Sequence, residues 1–88
     1  MPPICEFFGI KITVNYQDHN PPHFHATYAG KEAIFDIETL GLIRGELPPR
    51  VAGFIVEWGL ENHSALRRAW EEARSGAKPT KIPPPKGA

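Results

Sequence analysis

The sequence has one cysteine, no net charge and no long apolar run, and each of these absences excludes a class of protein. Cys5 is the only cysteine among 88 residues, so no internal disulfide can form. Ten basic residues balance ten acidic ones, which argues against strong nonspecific binding to nucleic acid or to a membrane surface. We find neither the roughly 18 consecutive apolar residues of a membrane span nor a signal peptide. We therefore expect a cytoplasmic protein with no membrane association.

Proline, in contrast, is abundant, and its clusters divide the chain into segments. The ten prolines include groups at residues 2–3, 21–22, 48–49 and 83–85. Three consecutive prolines cannot continue a helix or a strand ladder. We therefore expect one domain over residues 1–78 and a flexible, proline-rich tail over residues 79–88.

Alternation of apolar and polar residues predicts a small antiparallel sheet in the first half of the chain. The predicted strands cover residues 7–16, 23–28, 31–37 and 39–43. If Ala29 and Gly30 form a two-residue hairpin turn, the register of the second and third strands follows. Phe24 then lies opposite Phe35, and His23 lies opposite Asp36.

Helical spacing of apolar residues follows the Pro48-Pro49 pair. Val51, Ile55 and Trp58 step by three or four along residues 49–75, which predicts a helix with Trp58 buried. A break near residues 62–64 is expected, with Ser64 as the cap of a second helix. The fold class is therefore α+β: an antiparallel sheet of three to four strands with one face packed by a long or broken C-terminal helix.

Three of the four histidines fall within seven positions, in the segment Asp18-His19-Asn20-Pro21-Pro22-His23-Phe24-His25. His23 and His25 project to one face of a strand, and His19 or Asp18 can approach from the loop. Imidazole and carboxylate groups are zinc ligands. His19, His23, His25 and Asp18 are therefore a candidate site for a divalent metal such as zinc.

The same histidines are also suited to acid/base catalysis, because two imidazoles supply a general base and a general acid near neutral pH. In this interpretation His23 and His25 are catalytic, and Asp36 orients His23. A ribonuclease-like enzyme would also need side chains that contact the phosphate of its substrate, and an interaction protein would need side chains that contact its partner. The candidates for these contacts are Lys11, Tyr16, Arg44 and Arg50.

A third interpretation requires no chemistry. The histidines then lie on the open face of the sheet, and this face binds a protein partner or a second copy of the chain. So small a core would gain from such a partner, since exposed sheet edges tend to pair. The residues alone leave the choice between an enzyme and an interaction protein open, and RNA remains a candidate ligand.

The motifs resemble a known family. The string His19-Asn20-Pro21-Pro22-His23-Phe24-His25, together with the segments at residues 7–10, 36–40, 47–50 and 57–58, is similar to the small bacterial family catalogued as domain of unknown function 4160. The resemblance covers residues 2 to about 83. It implies a short cytoplasmic bacterial protein, often encoded beside a second small protein. It also implies a possible role as one component of a two-gene toxin–antitoxin module, with no established activity.

Overall fold

The computed structural model describes residues 3–88, which form an antiparallel sheet followed by two helices. The strands are β1 (Cys5–Phe7), β2 (Ile10–Thr13), β3 (His23–Tyr28), β4 (Lys31–Asp36) and β5 (Leu42–Gly45). The helices are α1 (Pro49–Glu61) and α2 (His63–Arg74). The fold is α+β as expected, with five strands rather than three or four. Within the described residues, neither helix has the length and apolar character that a membrane span requires.

The strands follow one another in the sheet in chain order, each antiparallel to the next. The predicted hairpin between β3 and β4 is confirmed in every pair, including Phe24 with Phe35 and His23 with Asp36. Ala29 and Gly30 both have positive φ, 49° and 80°. This is the geometry that a two-residue hairpin turn requires.

The prediction of one strand over residues 7–16 is wrong. Phe8 and Gly9 form a second two-residue turn, with φ values of 51° and 78°, that joins β1 to β2. The Phe8 side chain is consequently 47% exposed instead of facing the core. An apolar residue in the turn preserved the alternation, and for this reason the pattern did not reveal the hairpin.

The last strand lies at residues 42–45 rather than 39–43. The Asp36 carboxylate accepts hydrogen bonds from the backbone N–H groups of Glu38 (2.7 Å) and Thr39 (3.0 Å). A side chain that bonds the backbone two and three residues ahead favours a turn over a strand. The turn therefore occupies the start of the predicted strand and delays β5.

The predicted break in the helical segment is confirmed, but Asn62 rather than Ser64 makes it. Asn62 has φ −126° and ψ 27°, outside the helical region, and α2 begins at the next residue without a side-chain cap. The Asn62 side chain donates to the Trp58 carbonyl oxygen at 2.8 Å, closing the end of α1. Trp58 itself is 0% exposed, as predicted.

The core lies between the sheet and the helices. The Trp58 ring lies 5.5 Å from the ring of Phe7 and 6.1 Å from that of Phe24. The apolar side of α2 contributes Leu66, Ala69, Trp70 and Ala73 to the same core.

Residues 80–83 of the predicted flexible tail make specific contacts with the domain. The Ile82 side chain is 5% exposed, and its N–H donates to the Ile4 carbonyl oxygen at 2.8 Å. The Pro83 carbonyl oxygen accepts a hydrogen bond from Trp58 Nε1 at 3.0 Å. Thr80 donates from its backbone N–H and its hydroxyl to the Glu72 carboxylate. The segment thus binds the domain without secondary structure, through donors of the non-proline residues Thr80 and Ile82 and through the carbonyl acceptor of Pro83.

Candidate metal centre

Asp18, His23 and His25 converge at one end of β3, and we call them the Asp-His-His site. One ligand atom from each residue lies within 4.8 Å of the others. His23 and His25 are two positions apart on β3, while Phe24 between them is 0% exposed in the core. Strand periodicity thus places both imidazoles on the side of β3 opposite to Phe24. Asp18 comes from the loop that joins β2 to β3.

The two nitrogens of His23 have different partners. Nδ1 lies 2.7 Å from the Pro21 carbonyl oxygen, which can only accept, so Nδ1 carries a hydrogen. Nε2 lies 2.9 Å from Asp18 Oδ2. In a neutral ring this Nε2 would be an acceptor facing a second acceptor. The contact therefore requires either a proton on Nε2 or a cation shared by Nε2 and the carboxylate.

His25 has the same orientation with different partners. The Asn15 side-chain amide donates to Nε2 at 3.1 Å, which makes Nε2 an acceptor and places the ring hydrogen on Nδ1. Nδ1 faces Glu32 Oε2 at 3.5 Å, and Nε2 lies 3.6 Å from Asp18 Oδ2. Both imidazoles thus direct Nε2 towards the same carboxylate oxygen and Nδ1 towards an outer acceptor.

The site is partly shielded from solvent. The side chains of His23, His25 and Asp18 are 12%, 13% and 22% exposed. The His23 ring lies 5.1 Å from the ring of Trp70, so α2 covers one side of the site. Burial raises the pKa of the Asp18 carboxyl, but hydrogen bonds from the His19 backbone N–H and the His23 ring, with the charge of His23, outweigh it. The pKa of Asp18 is therefore below its ordinary value.

The remaining predicted site residues do not converge with these three. His19 is exposed, and only its backbone N–H contacts Asp18, at 2.8 Å. Asp36 lies opposite His23 in the backbone register, but its carboxylate bonds the turn at residues 38–39. The predicted contact of His23 with Asp36 is thus replaced by one with Asp18.

The predicted contact residues occupy separate positions. Lys11 pairs with Thr27 across β2 and β3, and Arg44 pairs with Ile34, the β4 neighbour of His25. Tyr16 is 44% exposed in the loop after β2. Arg50 lies in the first turn of α1, with its guanidinium carbon 5.7 Å from the centre of the Phe54 ring.

Sequence reasoning missed the outer partners Asn15, Glu32 and the Pro21 carbonyl. Glu32 could have been found from the predicted register, because the register places it opposite Thr27, next to His25 on the same face of the sheet. Asn15 and Pro21 belong to the loop between β2 and β3, whose path is not periodic and cannot be obtained from a strand pattern.

A comparison with models of known protein families identifies the family of this chain. The model described as Domain of unknown function (DUF4160) matches residues 9–71, which include the whole Asp-His-His site. The chain belongs to the DUF4160 family. No curated protein and no solved structure matches it. The resemblance of the His-Asn-Pro-Pro-His-Phe-His string to DUF4160 is thus confirmed, and the family description assigns no activity to the site.

Proposed function

We propose that this DUF4160 chain binds a divalent transition metal ion, such as zinc, through His23 Nε2, His25 Nε2 and an Asp18 carboxylate oxygen. Metal binding releases the Asn15 amide from His25 Nε2, because that nitrogen has a single lone pair. The observation that carries the proposal is the shared orientation of the two rings. Metal-bound histidines commonly donate their second ring N–H to a carbonyl or carboxylate, which fixes the tautomer and the ring direction. Here Pro21 O is that acceptor for His23 Nδ1 at 2.7 Å, and Glu32 Oε2 faces His25 Nδ1 at 3.5 Å, in position to become one.

The distances from the Asp18 carboxylate to the two imidazoles are compatible with such a centre. With metal–nitrogen and metal–oxygen distances of about 2.0–2.2 Å, tetrahedral ligand atoms are roughly 3.3 Å apart. The two contacts to Asp18 Oδ2, 2.9 Å from His23 and 3.6 Å from His25, lie on either side of this value. Three protein ligands leave a fourth position for water, which is the arrangement of catalytic rather than structural zinc.

A water-derived nucleophile at that position would suit hydrolysis, and we extend the proposal to a metal-dependent enzyme acting on a phosphodiester such as RNA. A zinc-bound water has a pKa near 7 and is a nucleophile at neutral pH. Arg44 lies in the same cross-strand row as His25, two strands away, and could bind a phosphate group. Without metal, the same imidazoles support the acid/base interpretation.

Zinc binding is tested by competition with a chromophoric chelator at pH 7.5, with metal content measured after gel filtration. We expect one zinc per chain, and loss of most of the affinity in both His23→Ala and His25→Ala. The matched control is His19→Ala, which removes the neighbouring exposed imidazole and should bind normally. Equal loss in His19→Ala, or full binding in both site variants, would contradict the assignment.

A second candidate function is protein interaction, and it is favoured by the exposed edge strand β5. Every residue of β5 is exposed, including Leu42 at 54% and Ile43 at 48%, and β4 is its sheet neighbour on one side only. Open edges pair with additional strands. We propose that a partner strand adds here, from a second copy or from the other small protein of a two-gene, toxin–antitoxin-like module.

The edge is tested by light scattering of the purified chain and by co-purification with the product of the adjacent gene. Ile43→Lys should abolish the complex, since a charged edge resists pairing. Leu60→Lys is the matched control, because Leu60 is 62% exposed on α1 and outside the sheet. A monomer with no complex, or a complex unaffected by Ile43→Lys, would contradict this candidate.

A further inference from the structure

A cleft of about 440 Å³ lies between the turn at Phe8 and the start of α1. Its lining residues are Phe8, Tyr28, Arg50, Val51 and Phe54. Three of the five are aromatic, and the one formal charge is positive. Tyr28 is the last residue of β3 and His23 the first, so the cleft lies about 16 Å along the strand from the Asp-His-His site.

Phe8 is an unusual residue for its backbone position. It has a φ of +51°, a conformation that bulky residues rarely adopt and that glycine or asparagine adopts readily. Its side chain is nevertheless 47% exposed, so its burial does not account for the choice of residue. Its ring packs against those of Phe54 and Phe7, with ring centres 5.0 Å and 5.9 Å apart, and about half of the side chain remains exposed. An exposed aromatic ring held at a strained turn indicates a contact surface for a ligand.

The charge of the cleft favours an anion. The Arg50 guanidinium lies over the Phe54 ring, with its carbon 5.7 Å from the ring centre, and has no carboxylate partner among the ion pairs of the described residues. The first turn of α1 contains no acidic side chain. Lys11 lines a neighbouring cleft that shares Tyr28 with this one. The surface therefore combines flat aromatic rings with the cationic Arg50, while Lys11 lies opposite Glu6 in the register of β1 and β2.

We propose that this aromatic cleft binds a nucleotide, with the base stacked on the exposed ring of Phe8 and the phosphate on Arg50. Stacking on an aromatic ring accepts any base, because every base has a π-face, and arginine pairs with phosphate through two N–H groups. The ligand class is a nucleoside phosphate, either free or as one unit of a single strand. The proposal does not depend on metal at the Asp-His-His site.

The test is a titration of the full chain with AMP, adenosine, ribose 5-phosphate and a short single-stranded oligoadenylate, followed by amide NMR. AMP should shift the amides near residues 8–9, 28–30 and 50–54. Adenosine lacks the phosphate and ribose 5-phosphate lacks the base, so both should bind more weakly. Tighter binding of the oligoadenylate than of AMP identifies a single strand as the ligand, and equal binding identifies a free nucleotide.

Two variants make the test specific. Phe8→Asn removes the ring but suits the positive φ, so it should keep the thermal midpoint while weakening AMP binding about ten-fold. Arg50→Gln should abolish the preference for AMP over adenosine. Arg74→Gln is the matched control, since Arg74 is an exposed arginine at the end of α2 and should bind AMP normally. Absence of shifts at millimolar AMP and oligoadenylate, or unchanged affinity in folded Phe8→Asn, would overturn the proposal.

Discussion

Replacement of Trp58 by alanine should remove much of the stability of the domain. Trp58 is fully buried, and its ring contacts Phe7 and Phe24 of two different strands. Its Nε1 also donates to the Pro83 carbonyl oxygen, which fixes the tail to α1. Truncation of a buried tryptophan to alanine typically costs about 3–5 kcal/mol, which includes the cavity that remains. Domains of this size have roughly 5–15 kcal/mol of stability in total.

Urea unfolding followed by circular dichroism measures this loss as a lower midpoint at an unchanged slope. In a thermal melt the same loss of stability corresponds to a decrease in the melting temperature of about 12–40 °C, at roughly 4–8 °C per kcal/mol. Trp58→Phe is the control, because it keeps an aromatic ring and loses mainly the hydrogen bond to Pro83, for a cost of about 2 kcal/mol or less. A loss below about 1 kcal/mol in Trp58→Ala would refute the assignment of Trp58 to the core.

Three further predictions concern the charge of Asp18, the C-terminal tail and the glycine at the end of β5. Asp18→Asn should lower the urea midpoint at pH 7. The pKa of Asp18 is lower in the folded chain than its unfolded-state value of about 3.9, so the charged carboxylate stabilises the fold at a pH above that value. That difference should disappear as the pH falls through the folded pKa, and a pH-independent difference would contradict it. Deletion of residues 79–88 should cost about 2 kcal/mol, since it removes the buried Ile82 side chain and uncovers the apolar surface beneath it, and an unchanged midpoint would show that the tail contributes no stability. Gly45→Ala should destabilise by more than about 1 kcal/mol, because φ is +82° and its Cβ would overlap a β4 carbonyl oxygen. Gly53→Ala, at an open helical position, should instead stabilise by about 0.5–1 kcal/mol, and similar effects of the two substitutions would contradict the strain at Gly45.

The features that the sequence predicted correctly are those that depend on local periodicity. The register of β3 and β4 follows from alternation on both sides of Ala29-Gly30, where glycine permits the positive φ of the turn. The burial of Trp58 follows from helical spacing with Ile55. In both cases a single repeat distance determines which side chains share a face.

The features that the sequence did not predict depend on loops and on side-chain competition. Asp36 was expected beside His23 because their backbones are paired, but two backbone N–H groups of the following turn bind its carboxylate instead. Asp18 reaches His23 through the path of the loop between β2 and β3, which no periodic pattern determines. The sequence therefore placed His23 and His25 on one face of a strand and included Asp18 among the candidates, but could not choose between the two carboxylates.

The most direct test of the metal centre is a zinc titration followed by long-range ¹H–¹⁵N NMR of the histidine rings, which distinguishes Nδ1 from Nε2. We predict that zinc shifts the Nε2 resonances of His23 and His25 together, at one equivalent, while their Nδ1 atoms remain protonated. The rings of His19 and His63 should not respond. Zinc-induced changes at Nδ1 of His23 or His25, equal changes at His19, or no change at any ring would contradict the proposed site.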